Sequence, residues 1–263
     1  MAAEKPLDPQ YRTVISNKGE VLLNRFVNFL IKTACALSKP FFPVKVYGPR
    51  KLPIKKTLLV GNHISGWDPL MYTLWSKTPI SFVYKAEFRK SAFLRWVFDG
   101  LDFIPVHRGK VDLNATKCVL RQLEGEKIVG LFPEGTRNPN VDCLQEFHTG
   151  AAMFAIKSRA PLRPFYIWEK TKIFHRNYII VGEEFSLEEF YGQALSKEVL
   201  QEATDIIRRH VDDLRVQLNG ILAERGVKRR KRTKKEMEKI QKYNEKQKTL
   251  AKEIAKQQSQ EGK

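Results

Sequence analysis

The sequence is short of cysteine, of acidic residues and of long uncharged hydrophobic runs. Its three cysteines, Cys35, Cys118 and Cys143, lie far apart and form no CxxC pair. Neither a disulfide framework nor a zinc site is therefore expected. The polar N-terminus, MAAEKP, lacks the apolar segment of a secretory signal. These absences favour a reducing, cytosolic setting, without export.

The most apolar segment, from about residue 21 to residue 44, is interrupted by polar side chains. Asn24, Arg25, Asn28 and Lys32 break it well short of the roughly 20 uncharged residues that a membrane-spanning helix needs. They recur at helical spacing, opposite a broad face of leucine and phenylalanine. The pattern favours an amphipathic helix in the membrane interface, although a helix packed on the protein core would show the same pattern.

Basic residues outnumber acidic ones by 47 to 29, which gives a formal net charge of +18. The excess predicts an anionic partner, and nucleic acid, phospholipid head groups and an acidic carrier protein all fit. Residues 228–263 contain 14 basic and 5 acidic residues, a net charge of +9. Half of the charge thus lies in a C-terminal tail, which we expect to be a solvated basic helix. Such a tail either adheres to an anionic membrane or only aids solubility.

Short apolar runs alternate with amphipathic stretches between residues 58 and 181. The apolar runs predict strands at 58–60, 80–84, 103–106, 128–132, 162–168 and 178–181. The other stretches predict helices at 68–76, 91–98, 112–123 and 149–158, and a long closing helix at 196–224. This alternation predicts an α/β fold with a mixed, largely parallel sheet that is flanked by helices.

The segment LLVGNHISGWDP, residues 58–69, is a strand that runs into a turn and then into a helix start. Such a turn is where α/β proteins place ligand sites. Asp68 can fix the tautomer of the His63 imidazole while the other ring nitrogen accepts a proton from a hydroxyl. A turn histidine and an aspartate that caps the helix, with Pro69 at its first position, would give the same pattern. Ser65 lies in no GxSxG elbow, which argues against a serine hydrolase.

A second predicted strand, residues 128–132, ends at the polar turn PEGTRN. Gly135 permits a tight backbone, and both Thr136 and Arg137 can donate hydrogen bonds to a phosphate. Glu134 can hold the arginine in place or bind a substrate hydroxyl. A surface turn with one salt bridge is the alternative interpretation.

Cations follow two further predicted strands. Lys85 comes after the strand at 80–84, and Arg108 comes shortly after the strand at 103–106. If these strands are parallel, then Lys85, Arg108 and Arg137 lie at the same edge of the sheet as His63. Because unpaired cations at a partly buried edge are costly, an anionic ligand is a natural partner.

Four segments, in this order, resemble the conserved blocks of the glycerophospholipid acyltransferase family, whose best-known members acylate lysophosphatidic acid. Asn62 to Asp68 matches the NHxxxxD motif, and Phe132 to Arg137 matches FPEGTR. Phe103 to Arg108 is similar to the second block, and Ala160 to Pro164 is similar to the fourth. The similarity spans roughly residues 58–166. His107 stands where the family usually has an acidic residue, which leaves the acceptor open.

The resemblance implies that His63 is the general base and Asp68 its orienting partner. It also implies direct attack of the acceptor hydroxyl on an acyl thioester, without an acyl-enzyme intermediate, a cofactor or a metal. The donor would be acyl-CoA or acyl carrier protein. The residues implied in binding the phosphate end of the acceptor are Lys85, Arg108, Glu134, Gly135, Thr136 and Arg137.

The implied reaction acylates lysophosphatidic acid to phosphatidic acid in phospholipid biosynthesis. Glycerol-3-phosphate and other lysophospholipids are alternative acceptors, and nucleic-acid binding through the tail is a distant alternative. We expect residues 1–48 to be an extension with the interfacial helix or helical pair, residues 49–226 to be the catalytic domain, and residues 227–263 to be the basic tail. The expected location is the cytoplasmic face of a phospholipid membrane, with peripheral or monotopic attachment.

Overall fold

A seven-stranded β-sheet lies at the centre of the fold. The computed structural model describes residues 29–30, 33–34, 36–49, 55–76, 78–107, 112–229 and 231–261. The strands are β1 (Val44–Tyr47), β2 (Thr57–Gly61), β3 (Ile80–Lys85), β4 (Ile104–Val106), β5 (Ile128–Leu131), β6 (Leu162–Ile167) and β7 (Asn177–Val181). Their order is β1-β7-β6-β2-β5-β3-β4. All neighbouring pairs are parallel except β6 and β7. The prediction of a mixed, largely parallel sheet is confirmed.

Helices cover both faces of this sheet. They are α1 (Asp68–Trp75), α2 (Ala92–Gly100), α3 (Leu113–Glu124), α4 (Gly150–Ser158), α5 (Lys197–Glu224) and α6 (Lys234–Glu261). The first five coincide with the predicted helices to within about two residues at each end. The start of α5 has a clear cause, because the Ser196 hydroxyl accepts a hydrogen bond from the Val199 N–H.

The two faces of the sheet bury two separate hydrophobic clusters. Alternate residues of a strand point to opposite faces, so Leu58 and Val60 pack on the side of α3, α4 and α5, whereas Leu59 packs on the side of α1. The central strand β2 is buried along its whole length. A strand that is buried on both faces reads as a continuous apolar run, which is why the sequence predicted it so clearly.

The N-terminal part of the fold differs from the prediction. Val44–Tyr47 forms a strand that pairs in parallel with β7, so the sheet begins within residues 1–48, which were expected to be an extension. The preceding apolar segment hid this four-residue strand. The predicted interfacial helix lies largely outside the described residues, of which 29–30, 33–34 and 36–38 are helical. Within the described ranges, no helix is both long and apolar enough to cross a bilayer.

The start of the basic tail is bound to the domain. Arg229 and Arg232 each approach one oxygen of the Asp142 carboxylate, at 2.6 Å. Arg229 also donates to the Trp168 carbonyl and lies over the Trp168 ring. The tail is helical over Lys234–Glu261, in agreement with the predicted helix. Two of its preceding cations are thus engaged within the chain, whereas a wholly solvated tail was expected.

Candidate active site

The turn after β2 is held against the end of β6. The Asn62 side-chain amide donates to the Ile167 carbonyl at 2.9 Å, and its oxygen accepts from the Ile167 N–H at 2.7 Å. Both bonds mimic a continuation of the β2–β6 ladder, so the chain leaves β2 in a defined direction. Asn62 therefore fixes where the following residue, His63, lies at the carboxyl edge of the sheet.

His63 and Asp68 are directly bonded. Nδ1 of His63 lies 2.8 Å from Oδ2 of Asp68. The same oxygen accepts from the backbone N–H groups of Ile64 and Ser65, at 2.7 and 2.8 Å. Since the carboxylate accepts, the Nδ1 atom carries the hydrogen and the Nε2 atom presents a lone pair. This arrangement can accept a proton at Nε2 from a hydroxyl.

Asp68 also lies at the start of α1, but it is not the N-cap. The helix begins at Asp68, and Trp67 occupies the cap position without a side-chain cap bond. The fully buried Asp68 carboxylate instead points back into the preceding turn. Asp68 is therefore not the helix cap of the alternative interpretation, because the cap position lies one residue earlier. Its carboxylate organises the turn that contains His63.

An aromatic ring supports the imidazole from one side. The rings of His63 and Phe132 are stacked, with centroids 4.3 Å apart and planes 18° apart. Phe132 in turn stacks on Phe82. Only 14% of the His63 side chain is exposed, so a substrate has limited access to the imidazole. Sequence reasoning missed this function of Phe132, although it is the first residue of the FPEGTR motif.

Glu134 connects the FPEGTR loop to His63. Its Oε1 atom accepts from the His63 N–H at 2.9 Å, and Oε2 accepts from Nδ2 of Asn138 at 3.0 Å and from the Gln145 N–H at 3.1 Å. The Asn138 N–H donates to the His63 carbonyl at 2.6 Å. The backbone N–H and the backbone carbonyl of His63 are thus both bonded to this loop. The structure buries Glu134, whereas the sequence suggested contact with the arginine or the substrate, and it adds Asn138, which the sequence analysis missed.

Burial raises the pKa of the Glu134 carboxyl from 4.5 to about 7, against the opposing effect of its hydrogen-bond donors, and the negative charge of Asp68 raises this pKa further. For an acid with a raised pKa, the protonated form stabilises the folded state at acid pH, and this contribution is lost as the pH rises through 7. The ionised form holds the His63 loop through all three donors. A rise in pH through 7 therefore strengthens the bonds of Glu134 to the His63 loop, while it lowers the contribution of Glu134 to the stability of the folded state.

We expect Glu134→Gln to change the acid limb of the pH profile. Below about pH 7 the wild type acquires a proton on a Glu134 oxygen that faces donors, which weakens its hold on the His63 turn, whereas a glutamine at this position does not titrate. As the pH falls through 7, kcat/KM of the wild type should therefore drop more steeply than kcat/KM of the variant. Steady-state assays at constant ionic strength measure both pH profiles. Parallel pH profiles would contradict positioning of the His63 turn by the ionised Glu134 carboxylate.

Arg137 lies beside the His63 turn. A Cβ atom on Gly66 would lie 3.7 Å from Nη1 of Arg137, and both Thr136 and Arg137 are exposed. Gly135 has a φ of +63°, and a Cβ atom there would lie 2.6 Å from Cδ2 of His148. Glycine is therefore required for both conformational and steric reasons. The turn presents Thr136 and Arg137 to solvent next to the His63–Asp68 pair.

The other predicted cations are placed less closely. Lys85 is the last residue of β3, and its Nζ atom pairs with the Glu87 carboxylate at 3.1 Å. Its side chain is about half exposed at the same edge as Arg137. Arg108 lies outside the described residues. Contact of these cations with a substrate phosphate stays a prediction.

Comparisons with known proteins identify the family. Residues 43–168, which include both motifs and begin next to β1, match the family model described as Acyltransferase. This segment belongs to the acyltransferase family. The resemblance found in the sequence is confirmed, and so, at the level of the family, is the prediction of an acyltransferase enzyme.

Relatives of this chain include two bacterial proteins named 1-acyl-sn-glycerol-3-phosphate acyltransferase. The Borreliella burgdorferi protein is 28% identical over 160 residues, which are 58% of this chain and 63% of that protein. The chain thus spans less than two thirds of this relative. The Bacillus subtilis protein is 25% identical over 189 residues, which are 68% of this chain and 91% of that protein.

A solved structure shares the fold of this chain. It is the 1-acyl-sn-glycerophosphate (LPA) acyltransferase PlsC from Thermotoga maritima, with a TM-score of 0.56 and 22% identity. The match covers 78% of this chain and 86% of the PlsC chain. At this identity the likeness concerns the fold, and it agrees with the predicted α/β architecture.

Proposed function

We propose that this acyltransferase moves a fatty acyl group from an acyl thioester to the free hydroxyl of lysophosphatidic acid, which gives phosphatidic acid for phospholipid biosynthesis. The observation that carries the proposal is the His63–Asp68 pair at 2.8 Å with the exposed Arg137 beside the same turn. The names of the bacterial relatives support the same acceptor. Glycerol-3-phosphate and other lysophospholipids are the alternative acceptors.

The pair performs the proton transfers of the reaction. The acceptor hydroxyl gives its proton to Nε2 of His63 while its oxygen attacks the thioester carbonyl carbon. The tetrahedral intermediate then expels the thiolate, which takes the proton from Nε2, so the imidazole returns to its starting state. Asp68 fixes the tautomer and stabilises the transient imidazolium. The reaction requires neither an acyl-enzyme intermediate nor a cofactor or metal.

The turn after β5 binds the acceptor phosphate in this proposal. Arg137 offers a planar pair of donors that matches phosphate geometry, and Thr136 adds a hydroxyl donor beside it. Lys85 adds positive charge at the same edge, partly balanced by Glu87, and Arg108 is proposed as a further ligand. Glu134 and Gly135 contribute indirectly, since the first bonds to His63 and the second permits the tight turn.

The lipid substrate places the enzyme at a phospholipid membrane. We propose peripheral or monotopic attachment at the cytoplasmic face, with contributions from the N-terminal amphipathic segment and the basic tail. The exposed Phe29, Leu30 and Leu37 support the first contribution, and the positive charge of residues 228–263 supports the second.

A donor-by-acceptor matrix tests the proposed reaction. Purified protein is assayed with acyl-CoA and with acyl carrier protein, each against lysophosphatidic acid, glycerol-3-phosphate, other lysophospholipids and a neutral monoacylglycerol. We expect the largest kcat/KM with lysophosphatidic acid. Inactivity with every phosphate-bearing acceptor would reject the acceptor class, and acylation of the monoacylglycerol alone would leave the chemistry intact.

In the same matrix, Arg137→Gln is the test of phosphate binding. A charge-assisted bond is worth about 1.5–3 kcal/mol, so KM for lysophosphatidic acid should rise by about tenfold or more. KM for the neutral acceptor should stay unchanged. Arg209→Gln, at an exposed arginine on α5, is the matched control. An equal rise in KM for both acceptors would contradict phosphate binding by Arg137.

A further inference from the structure

Exposed apolar side chains form a continuous surface that the proposed reaction does not use. We call Phe41, Phe42, Trp67, Ile173 and Phe174 the aromatic ridge. The exposed fractions of Phe41, Trp67, Ile173 and Phe174 are 47%, 52%, 51% and 71%. Single exposed apolar residues are normal on a soluble protein, whereas a contiguous group marks an interaction site.

Four members of the aromatic ridge contact one another in two pairs of rings. The ring centroids of Phe41 and Phe174 are 5.3 Å apart, and those of Phe42 and Trp67 are 5.9 Å apart. The Phe174 N–H donates to the Phe41 carbonyl at 2.6 Å. Because Phe41 and Phe42 are neighbours in the chain, these contacts join the loop between β6 and β7 to the turn after β2.

The aromatic ridge lies at the active-site edge of the sheet. Trp67 is part of the turn between His63 and Asp68. The loop with Ile173 and Phe174 leaves β6 at the end to which Asn62 is bonded. A partner that covers the ridge therefore lies next to the turn that contains His63.

The charge around the aromatic ridge is positive. Lys39, Lys170 and Arg176 are exposed next to it in the chain. In the loop between β6 and β7, the acidic residue Glu169 is paired with Lys172 at 3.0 Å. Aromatic side chains with flanking cations match the head-group region of a bilayer with anionic lipids. A symmetric contact between two copies of this surface would bring like charges together, which disfavours a dimer here.

We propose that the aromatic ridge inserts into the interfacial region of an anionic phospholipid bilayer. It extends the membrane contact from Phe41 and Phe42, at the end of the N-terminal apolar segment, to the turn after β2 and the loop between β6 and β7. It thereby presents the edge with His63 to the lipid surface. The lysolipid then enters the site from the bilayer plane. This last step rests on the proposed function, whereas membrane insertion of the ridge does not.

Phe174 offers a variant that removes the apolar ring and spares the fold. Its φ is +60°, a value that bulky residues rarely adopt and that asparagine tolerates. Phe174→Asn should therefore keep or raise the melting temperature. The matched control is Val216→Asn at an exposed valine of α5, a helix on the sheet face opposite α1.

The experiment measures partition of the full chain onto phosphatidylcholine vesicles with and without phosphatidylglycerol, at low and high salt. Phe174→Asn should lower the partition coefficient by about tenfold, and Val216→Asn should leave it unchanged. Phosphatidylglycerol should strengthen binding of the wild type at low salt only. Unchanged partition of Phe174→Asn would overturn the proposal, and a change from dimer to monomer would assign the surface to a second copy instead.

A fluorescent probe tests insertion directly. An environment-sensitive fluorophore is attached to Ile173→Cys, or to Val216→Cys as the control, after Cys35 and Cys143 have been replaced by serine. Anionic vesicles should shift the emission to the blue at position 173 and leave position 216 unchanged. Equal responses at both positions would overturn the proposal.

Turnover of a water-soluble acceptor by Phe174→Asn is expected at the wild-type rate. Vesicle binding without acyl transfer by the wild type would reject the proposed function and leave the surface assignment standing.

Discussion

Replacement of His63 by alanine is expected to lower kcat by about 10² to 10⁴-fold, the range of a positioned general base. The loss has a single physical cause, because Nε2 of His63 is the acceptor of the hydroxyl proton in the proposed reaction. KM for the acceptor should change little, since the proposed phosphate contacts are on the turn after β5. Steady-state kinetics with saturating thioester measure both constants.

Ser65→Ala is the matched control for this variant. The Ser65 side chain is buried in the same turn and accepts one long bond, 3.3 Å, from the Trp67 N–H. Its backbone N–H, which binds Asp68, is kept in the variant. We expect activity within about threefold of the wild type, because a single weak bond contributes about 0.5–1 kcal/mol. Loss of activity in Ser65→Ala with retention in His63→Ala would reject the mechanism in favour of a serine nucleophile.

Asp68→Asn is expected to lower kcat on the order of 10³-fold while the fold is retained. The asparagine carbonyl can still accept from Ile64 and Ser65. The negative charge beside the imidazolium is lost, and with it the preference for the hydrogen on Nδ1. Thermal unfolding and steady-state kinetics on the same preparation separate stability from catalysis.

Asp68→Ala shows the structural contribution of the same side chain. It leaves the N–H groups of Ile64 and Ser65 without their acceptor, at a cost of about 1–3 kcal/mol each. The alanine variant should therefore unfold at a clearly lower temperature than the asparagine variant, and its kcat should be at least as strongly reduced. Near-normal turnover by Asp68→Asn would mean that the carboxylate only organises the turn that contains His63.

The strands and helices were predictable because their signals are local. The buried strand β2 reads as an unbroken apolar run, and α5 shows its apolar residues at helical spacing between a capping serine and Gly226. The short edge strand β1 was missed. Its four residues are only partly buried, and they follow an apolar segment whose period dominates the pattern. A segment this short becomes a strand only through its pairing with β7.

The chemistry of the candidate site was also readable in part. His63, Asp68 and Arg137 belong to two sequence motifs. The proposed base, its partner and a hydrogen-bond donor for the phosphate therefore followed from the residues and the family resemblance. The direction of each side chain did not. Glu134 reads as an active-site carboxylate beside an arginine, and only the packing of the loop against the β2 turn directs both of its oxygens inward.

The sequence by itself determined the fold class, the reactive groups and the excess of positive charge, since these depend on residue types and on periodicity within short segments. The tertiary structure decided which groups meet. The bond from the His63 N–H to Glu134 joins residues 71 positions apart. The stacking of His63 on Phe132 and the contact of Phe41 with Phe174 also join segments that are far apart in the chain. Such contacts arise when parallel strands bring their ends to one edge of the sheet, and residue order alone does not specify their geometry.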